Sequence, residues 1–370
     1  KAIILGSFHE RPIAQLGKLK TLKSGIPLVP LEACLTLKSL VWLIWKALKL
    51  YLLPIKPNGP IEIDGLDVSF LLNQSIKQSL RSGDLFLNLR AYQAASFIAG
   101  TLQVTRCIYP YENRSWEKML LLGLSSVSPE TRTIGYQHAA ITPHHTNFML
   151  DSGEAEVTPL PNAILTCGEV TRDWLSKEGN YPQGLFKTAC ALRQNLTSPL
   201  QGTSQNKHVS KLLLVLGTDQ EEVVKTPVFL EEALASTNGY QVRIRPHPNA
   251  PGLNLPPSPL FSVSEEPLAD DLDWAHAVLY SSSTVAMEAI FLGTPAIFVD
   301  IGGFLNTDPM FGWDEFKWSV TEPSELLPTL AVIQRLPENE FHMRQQKGRE
   351  YVTDYLRPVT GESLATFWEA

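Results

Sequence analysis

The chain has 370 residues, is 44% hydrophobic and 19% charged, and carries a net charge of −7. That length suits two domains, and that composition excludes a disordered chain and supplies a large core. The negative balance argues against broad nucleic-acid binding, and no nucleic-acid partner is expected. Four cysteines (Cys34, Cys107, Cys167, Cys190) show no CxxC spacing, so buried free thiols in a reducing compartment are expected. The first residue is Lys, so the native N-terminus is expected to lie upstream.

In chain order, residues 2–5 read as a strand, and the loop after it carries His9 and Glu10 as weak site candidates or plain surface residues. Residues 37–53 are unusual. On a helix, Lys38, Ser39, Lys46 and Lys49 fall in one stripe about 100° wide, and the rest is apolar, with Trp42, Trp45 and Tyr51 included. The segment is a poor transmembrane span. It reads either as a helix lying in a membrane interface or as a buried helix with snorkelling lysines. Residues 61–68, broken by Gly65, read as a short strand, and 85–102 as helical or mixed.

A clearer alternation follows. Strands are expected at 105–109, 133–137, 163–167 and 185–192, with helices at 115–124 and 169–177. Residues 194–210 are polar with Pro and Gly and read as a linker. The pattern then restarts: strand 211–216, helix 227–236, strand 240–245, strand 274–279, helix from about Val285, strand 296–299. The expected domains are therefore 1–193, 211–337, and a helical tail at 338–370 that crosses back to the first domain.

The chemistry is expected at strand ends. Gly217-Thr218-Asp219, Arg243-Ile244-Arg245-Pro246-His247-Pro248, Ser264-Glu265-Glu266 and Ser281-Ser282-Ser283-Thr284 converge on one edge if their strands are parallel. A histidine held between prolines, two arginines, a Gly-Thr turn and hydroxyls opening a helix together suit a phosphate ester. Glu288 lies one turn into that helix, placed to accept from ribose hydroxyls or simply exposed. Asp270-Asp271-Leu272-Asp273 is expected to begin and cap a helix. No Walker A, GxGxxG or HExxH sequence occurs, and His138, His144 and His145 match no familiar zinc spacing, so no metal or cofactor is expected. In the first half, Glu112 and Glu117 flank a helix start, and His138 closes a strand. Each is a candidate general base or nucleophile for sugar transfer, while Glu112 and Glu117 also fit simple helix-dipole partners.

The second half resembles the donor domain of GT-B glycosyltransferases. Its His247-Pro248 and Ser281-Ser282-Ser283-Thr284 are similar to the His-Pro and Ser-rich motifs of bacterial sialyltransferases and Kdo transferases that use CMP-activated acidic sugars. This resemblance covers residues 211–300; the sialyltransferase pattern of two acids followed by Gly is not found. CDP-alditol phosphotransferases of teichoic-acid synthesis share similar elements. The resemblance implies an α/β GT-B fold of two Rossmann-like, doubly wound domains facing a cleft. It implies metal-independent transfer from a CMP-sugar donor to a glycan or lipid-linked acceptor in surface polysaccharide synthesis, such as lipopolysaccharide or capsule. His247, Pro248, Arg245, Gly217, Thr218, Ser281, Ser282, Ser283, Thr284 and Glu288 would hold the donor, with Glu112, His138 or Glu117 reacting opposite. The expected location is the cytoplasm, peripheral on the inner face of the membrane through residues 37–53.

Overall fold

The computed structural model describes residues 2–6, 25–52, 59–193, 196, 209–249, 258–303 and 305–370. His9, Glu10 and most of the expected linker lie outside them. Compactness divides the chain into residues 1–136 with 150–164, and residues 137–149 with 165–370.

The first unit begins with strands β1 (Ile4–Gly6) and β2 (Leu28–Pro30), which pair in parallel. Helix α1 (Leu37–Leu52) follows. Residues 61–68 are not one strand. They form a hairpin of β3 (Glu62–Ile63) and β4 (Leu66–Asp67), because Asp64 and Gly65 both take positive φ, the geometry of a tight two-residue turn. Helices α2 (Ser69–Arg81) and α3 (Asp84–Thr101) pack with α1, where Trp42 stacks on Tyr92 at 5.6 Å. Next come β5 (Arg106–Pro110), α4 (Ser115–Ser125) and β6 (Arg132–Gln137), with β5 and β6 parallel. Gly123 lets α4 close on α3, since a Cβ there would lie 2.4 Å from the Tyr92 carbonyl oxygen.

A short helix α5 (Glu154–Val157), strand β7 (Ala163–Thr166), helix α6 (Glu169–Glu178) and strand β8 (Phe186–Thr188) continue the alternation. The last strand is much shorter than the expected 185–192. Ala189 N–H still donates to the Thr166 carbonyl at 2.9 Å, but beyond it the backbone leaves the ladder, and Ala191 N–H donates instead to the Arg357 carbonyl at 2.9 Å.

The second unit is built on six parallel strands: β9 (Lys211–Val215), β10 (Gln241–Arg245), β11 (Phe261–Val263), β12 (Ala277–Tyr280), β13 (Ala296–Val299) and β14 (Lys317–Val320). Their order is β11-β10-β9-β12-β13-β14. The continuous apolar run Leu212–Leu216 is explained by burial on both faces. Leu213, Val215, Val278 and Tyr280 enter one core, and Leu212, Leu214, Ile244 and Leu279 enter another. Between strands run helices α7 (Gln220–Leu234), α8 (Leu268–Trp274) and α9 (Val285–Leu292). Helices α10 (Leu326–Arg335), α11 (Glu338–Tyr355) and α12 (Gly361–Glu369) end the chain.

Helix α7 starts seven residues before Pro227, which was expected at its beginning. Asp219 caps it by accepting from Glu221 N–H at 2.7 Å, so the proline is carried inside an already anchored helix. The C-terminal helix α11 packs against α9 and α6. The Tyr355 hydroxyl donates to the Ile141 carbonyl and accepts from the Ile141 N–H, each at 3.1 Å, and Arg357 N–H donates to Cys167. Those ties explain why residues 137–149 and the strands after 165 group with the second half.

Candidate functional site at the carboxyl edge

The strand order reverses between β9 and β12, which is where open α/β sheets leave a crevice for ligands. Register makes the crevice specific. Val215 pairs with both Arg245 and Tyr280. Two residues further on, Gly217, His247 and Ser282 therefore leave the sheet level with one another. The sequence expectation that these strand ends share an edge holds because every strand in this sheet is parallel.

Within the crevice the roles of the side chains differ from a uniform hydroxyl cluster. Ser281 is buried and donates to the Val299 carbonyl at 2.9 Å, tying β12 to β13. Ser282 donates to Glu222 Oε2, and the Gly217 N–H donates to Glu222 Oε1 at 2.9 Å. A Cβ on Gly217 would lie 2.2 Å from the Ser282 hydroxyl oxygen and 2.7 Å from Glu222 Oε2, so any larger residue must displace that pair. The Ser283 hydroxyl accepts from Val285 N–H at 3.4 Å, and Thr284 stands at the N-cap of α9. Of the four hydroxyls, two are thus committed to the protein, and Ser283 and Thr284 remain at the helix start. Thr218 is exposed.

His247 is half-buried, and its Nδ1 accepts from Asn249 N–H at 3.1 Å. In the neutral ring the proton then sits on Nε2, which is left as a donor. Pro248 is exposed beside it. Arg245 donates to the Glu266 carbonyl at 2.7 Å and to Asp271 Oδ2 at 2.6 Å, and Arg243 donates to Asp271 Oδ1 at 2.9 Å. The Ser264 hydroxyl completes this knot. Asp271 lies in the first turn of α8, as expected, but it does not cap the helix: it is fully buried and binds two guanidiniums. Burial pushes its carboxyl up, but the serine and the arginines outweigh it and hold it below the usual range. Both guanidiniums share this one carboxylate beside the crevice, and Arg245 also acts on Glu288: burial raises the Glu288 carboxyl, and Arg245 opposes the rise.

Glu222 escaped the sequence reading. Burial raises its carboxyl, and the Ser282 and Gly217 bonds oppose that. A signal was present. The first unit contains the same device: Glu112 N–H donates to Glu117 at 3.0 and 3.2 Å. In both cases the donor lies two residues past a strand, and the acid lies five residues later, third in the helix. Glu117 is thereby turned into its own loop and is 1% exposed. Burial pushes its carboxyl up to about 7 against the pull of the loop N–H groups. Of the three reactive candidates it is the least available to a substrate. Glu112 is more open, with its carboxylate 3.3 Å from Arg114 Nε. His138 follows β6 and is half-buried, in the second unit. His145 is occupied, its Nδ1 accepting from Thr142 N–H at 3.0 Å.

Among the described residues, no group of three or more His, Cys, Asp or Glu side chains could hold a metal ion. All four cysteines are free, three of them buried. A cavity of about 390 Å³ lies in the first unit among the end of α4, the start of β6 and residues 156–162. It sits at the amino ends of the strands, away from the candidate groups.

No family model matches the sequence, and no curated protein matches it. Solved structures do match in fold. A glycosyltransferase of kitacinnamycin is similar over 95% of this chain and 88% of its own, with 11% identity and a TM-score of 0.53. A glycosyltransferase from Rickettsia africae covers 99% and 97%, with 11% identity and a TM-score of 0.52. A UDP-GlcNAc 2-epimerase from Neisseria meningitidis, bound to UDP-GlcNAc, covers 99% and 92%, with 9% identity and a TM-score of 0.50. The chain therefore has the α/β fold of GT-B glycosyltransferases and these epimerases, with Rossmann-like parallel sheets.

Proposed function

We propose that this chain is a GT-B glycosyltransferase that moves a sugar from a nucleotide-sugar donor to a glycan or lipid-linked acceptor. The observation that supports the reading is the meeting of strand ends at the sheet reversal: the close turn at Gly217, the His247 Nε2 donor and the start of α9 at Ser283 and Thr284, beside the Arg243 and Arg245 guanidiniums. A departing nucleotide phosphate gains charge in the transition state, and fixed donors there are the larger catalytic contribution. Glu288 accepts from the ribose hydroxyls in this reading. Glu112 or His138 serves as base or nucleophile toward the acceptor or the sugar.

The finer reading is a CMP-activated acidic sugar such as Kdo, transferred without metal in the cytoplasm during surface polysaccharide synthesis. It rests on the His-Pro and Ser-Ser-Ser-Thr elements. The UDP-GlcNAc-bound epimerase of the same fold keeps a UDP-sugar donor as the second reading, and a CDP-alditol phosphotransferase is the third. A thermal-shift series with CMP, CDP, UDP and GDP discriminates among them. A selective response to CMP and CDP, lost in His247→Ala, is expected; a response to UDP alone transfers the assignment to the UDP-sugar reading. Product mass then separates sugar from phosphoalditol transfer. Absence of any nucleotide response together with absence of donor turnover overturns the transferase reading.

A further inference from the structure

Helix α1 shows its apolar side to solvent. Val41, Ile44, Trp45, Leu48, Tyr51 and Leu52 are each at least half exposed, at 54–75%. On a helical projection, together with Leu37 and Leu40, they fill an uninterrupted apolar arc of about 140°. The opposite side, with Leu43 and Trp42, is the one packed in the unit. A buried-helix reading of residues 37–53 is therefore excluded for this arc. Single exposed apolar residues need no explanation, but a continuous arc of this width does.

Charge argues for one occupant. Lys38 and Lys49 border the arc on one flank, and Lys46 follows beyond them. The three make no ion pair among the described residues. Lys46 and Lys49 lie 5.6 and 5.3 Å from the Trp45 ring. Helix α2, packed against α1, adds Lys77 and Arg81. The two helices hold five cations and no acid, in a chain of net charge −7. The hairpin between them carries Glu62, Asp64 and Asp67, so the basic character belongs to the helices. An apolar arc edged by lysines, with Trp and Tyr within it, matches the interface of an anionic bilayer. A second copy of this chain fits less well, because neither helix carries an acid to meet the lysines. No described helix is long and apolar enough to cross a membrane.

We infer that α1 docks the protein on an anionic lipid surface, lying in the interface with the 41–52 arc immersed and Lys38 and Lys49 toward the headgroups. This does not depend on the transferase reading. The test is co-sedimentation of the full chain with phosphatidylcholine vesicles, with and without phosphatidylglycerol. Anionic vesicles are expected to bind at least about tenfold more tightly, since each lysine near the surface is worth about fivefold. Salt should weaken the binding. Trp45→Ser with Leu48→Ser should lose at least about tenfold in affinity while keeping the melting temperature, because both side chains are exposed. Lys38→Gln with Lys49→Gln should remove the preference for phosphatidylglycerol. Failure to bind anionic vesicles, or equal binding by the serine variant, overturns the inference. So does a dimer, seen by analytical ultracentrifugation, that the same serine substitutions dissolve.

Discussion

Glu117 shows how one residue can look catalytic in a sequence and be structural in a fold. An acid in the first turn after a strand end fits a reactive group, but here the carboxylate accepts from the backbone of its own loop and is sealed from water. Its carboxyl is raised to about 7 from an ordinary 4.5. A raised carboxyl means that the folded state holds a proton the unfolded chain gives up. The stability it contributes is complete below about pH 4.5 and falls as pH rises through 7, by of order 3 kcal/mol. Thermal midpoints measured from pH 4.5 to 8 should show that decline, and Glu117→Gln should flatten it. An unchanged slope in the variant would place the titration elsewhere. The partner device at Glu222 makes a separate prediction. Gly217→Ala puts a methyl into the Ser282 hydroxyl and Glu222 and should cost about 1–3 kcal/mol in denaturant titration, together with nucleotide affinity.

Two elements are held by contacts that their own sequences do not announce. Helix α8 is fixed to β10 by Asp271, which binds Arg243 and Arg245, while the Arg243 guanidinium also lies 4.1 Å from the Trp274 ring. Asp271→Asn leaves two half-buried guanidiniums without their charge partner. A loss of about 3 kcal/mol is expected from chemical denaturation, larger than a helix cap would give. Helix α11 reaches its seat only because Gly168 has no side chain: a Cβ there would lie 2.0 and 2.3 Å from the Tyr355 and Asp354 carbonyl oxygens. Backbone cannot yield as a flexible side chain can. Gly168→Ala should therefore release the C-terminal helices to limited proteolysis before the six-stranded sheet unfolds; an unchanged digestion pattern would show the contact to be dispensable.

At the scale of the molecule, the proposed division of labour can be separated by kinetics. His247→Ala should weaken donor binding and lower turnover together. Glu112→Gln should leave nucleotide affinity intact and reduce turnover by about 10²–10⁴. Equal effects on binding from both variants would dissolve the division; no effect of Glu112→Gln would pass the reactive role to His138.

The sequence by itself determined the alternation of strands and helices, the parallel sheet of the second half and the strand ends at which polar residues collect. Those features follow from periodicity and from Gly, Pro and hydroxyl residues at boundaries, which are local. It also determined that α1 is apolar along most of its surface. Tertiary structure decided which of those polar groups are spent on the protein. Ser281, Ser282, Arg245 and Asp271 find partners 18 to 60 residues away, through register and sheet order, and no local pattern encodes such pairings. It likewise decided that the apolar arc of α1 faces outward, because burial depends on what packs against a helix and not on the helix alone.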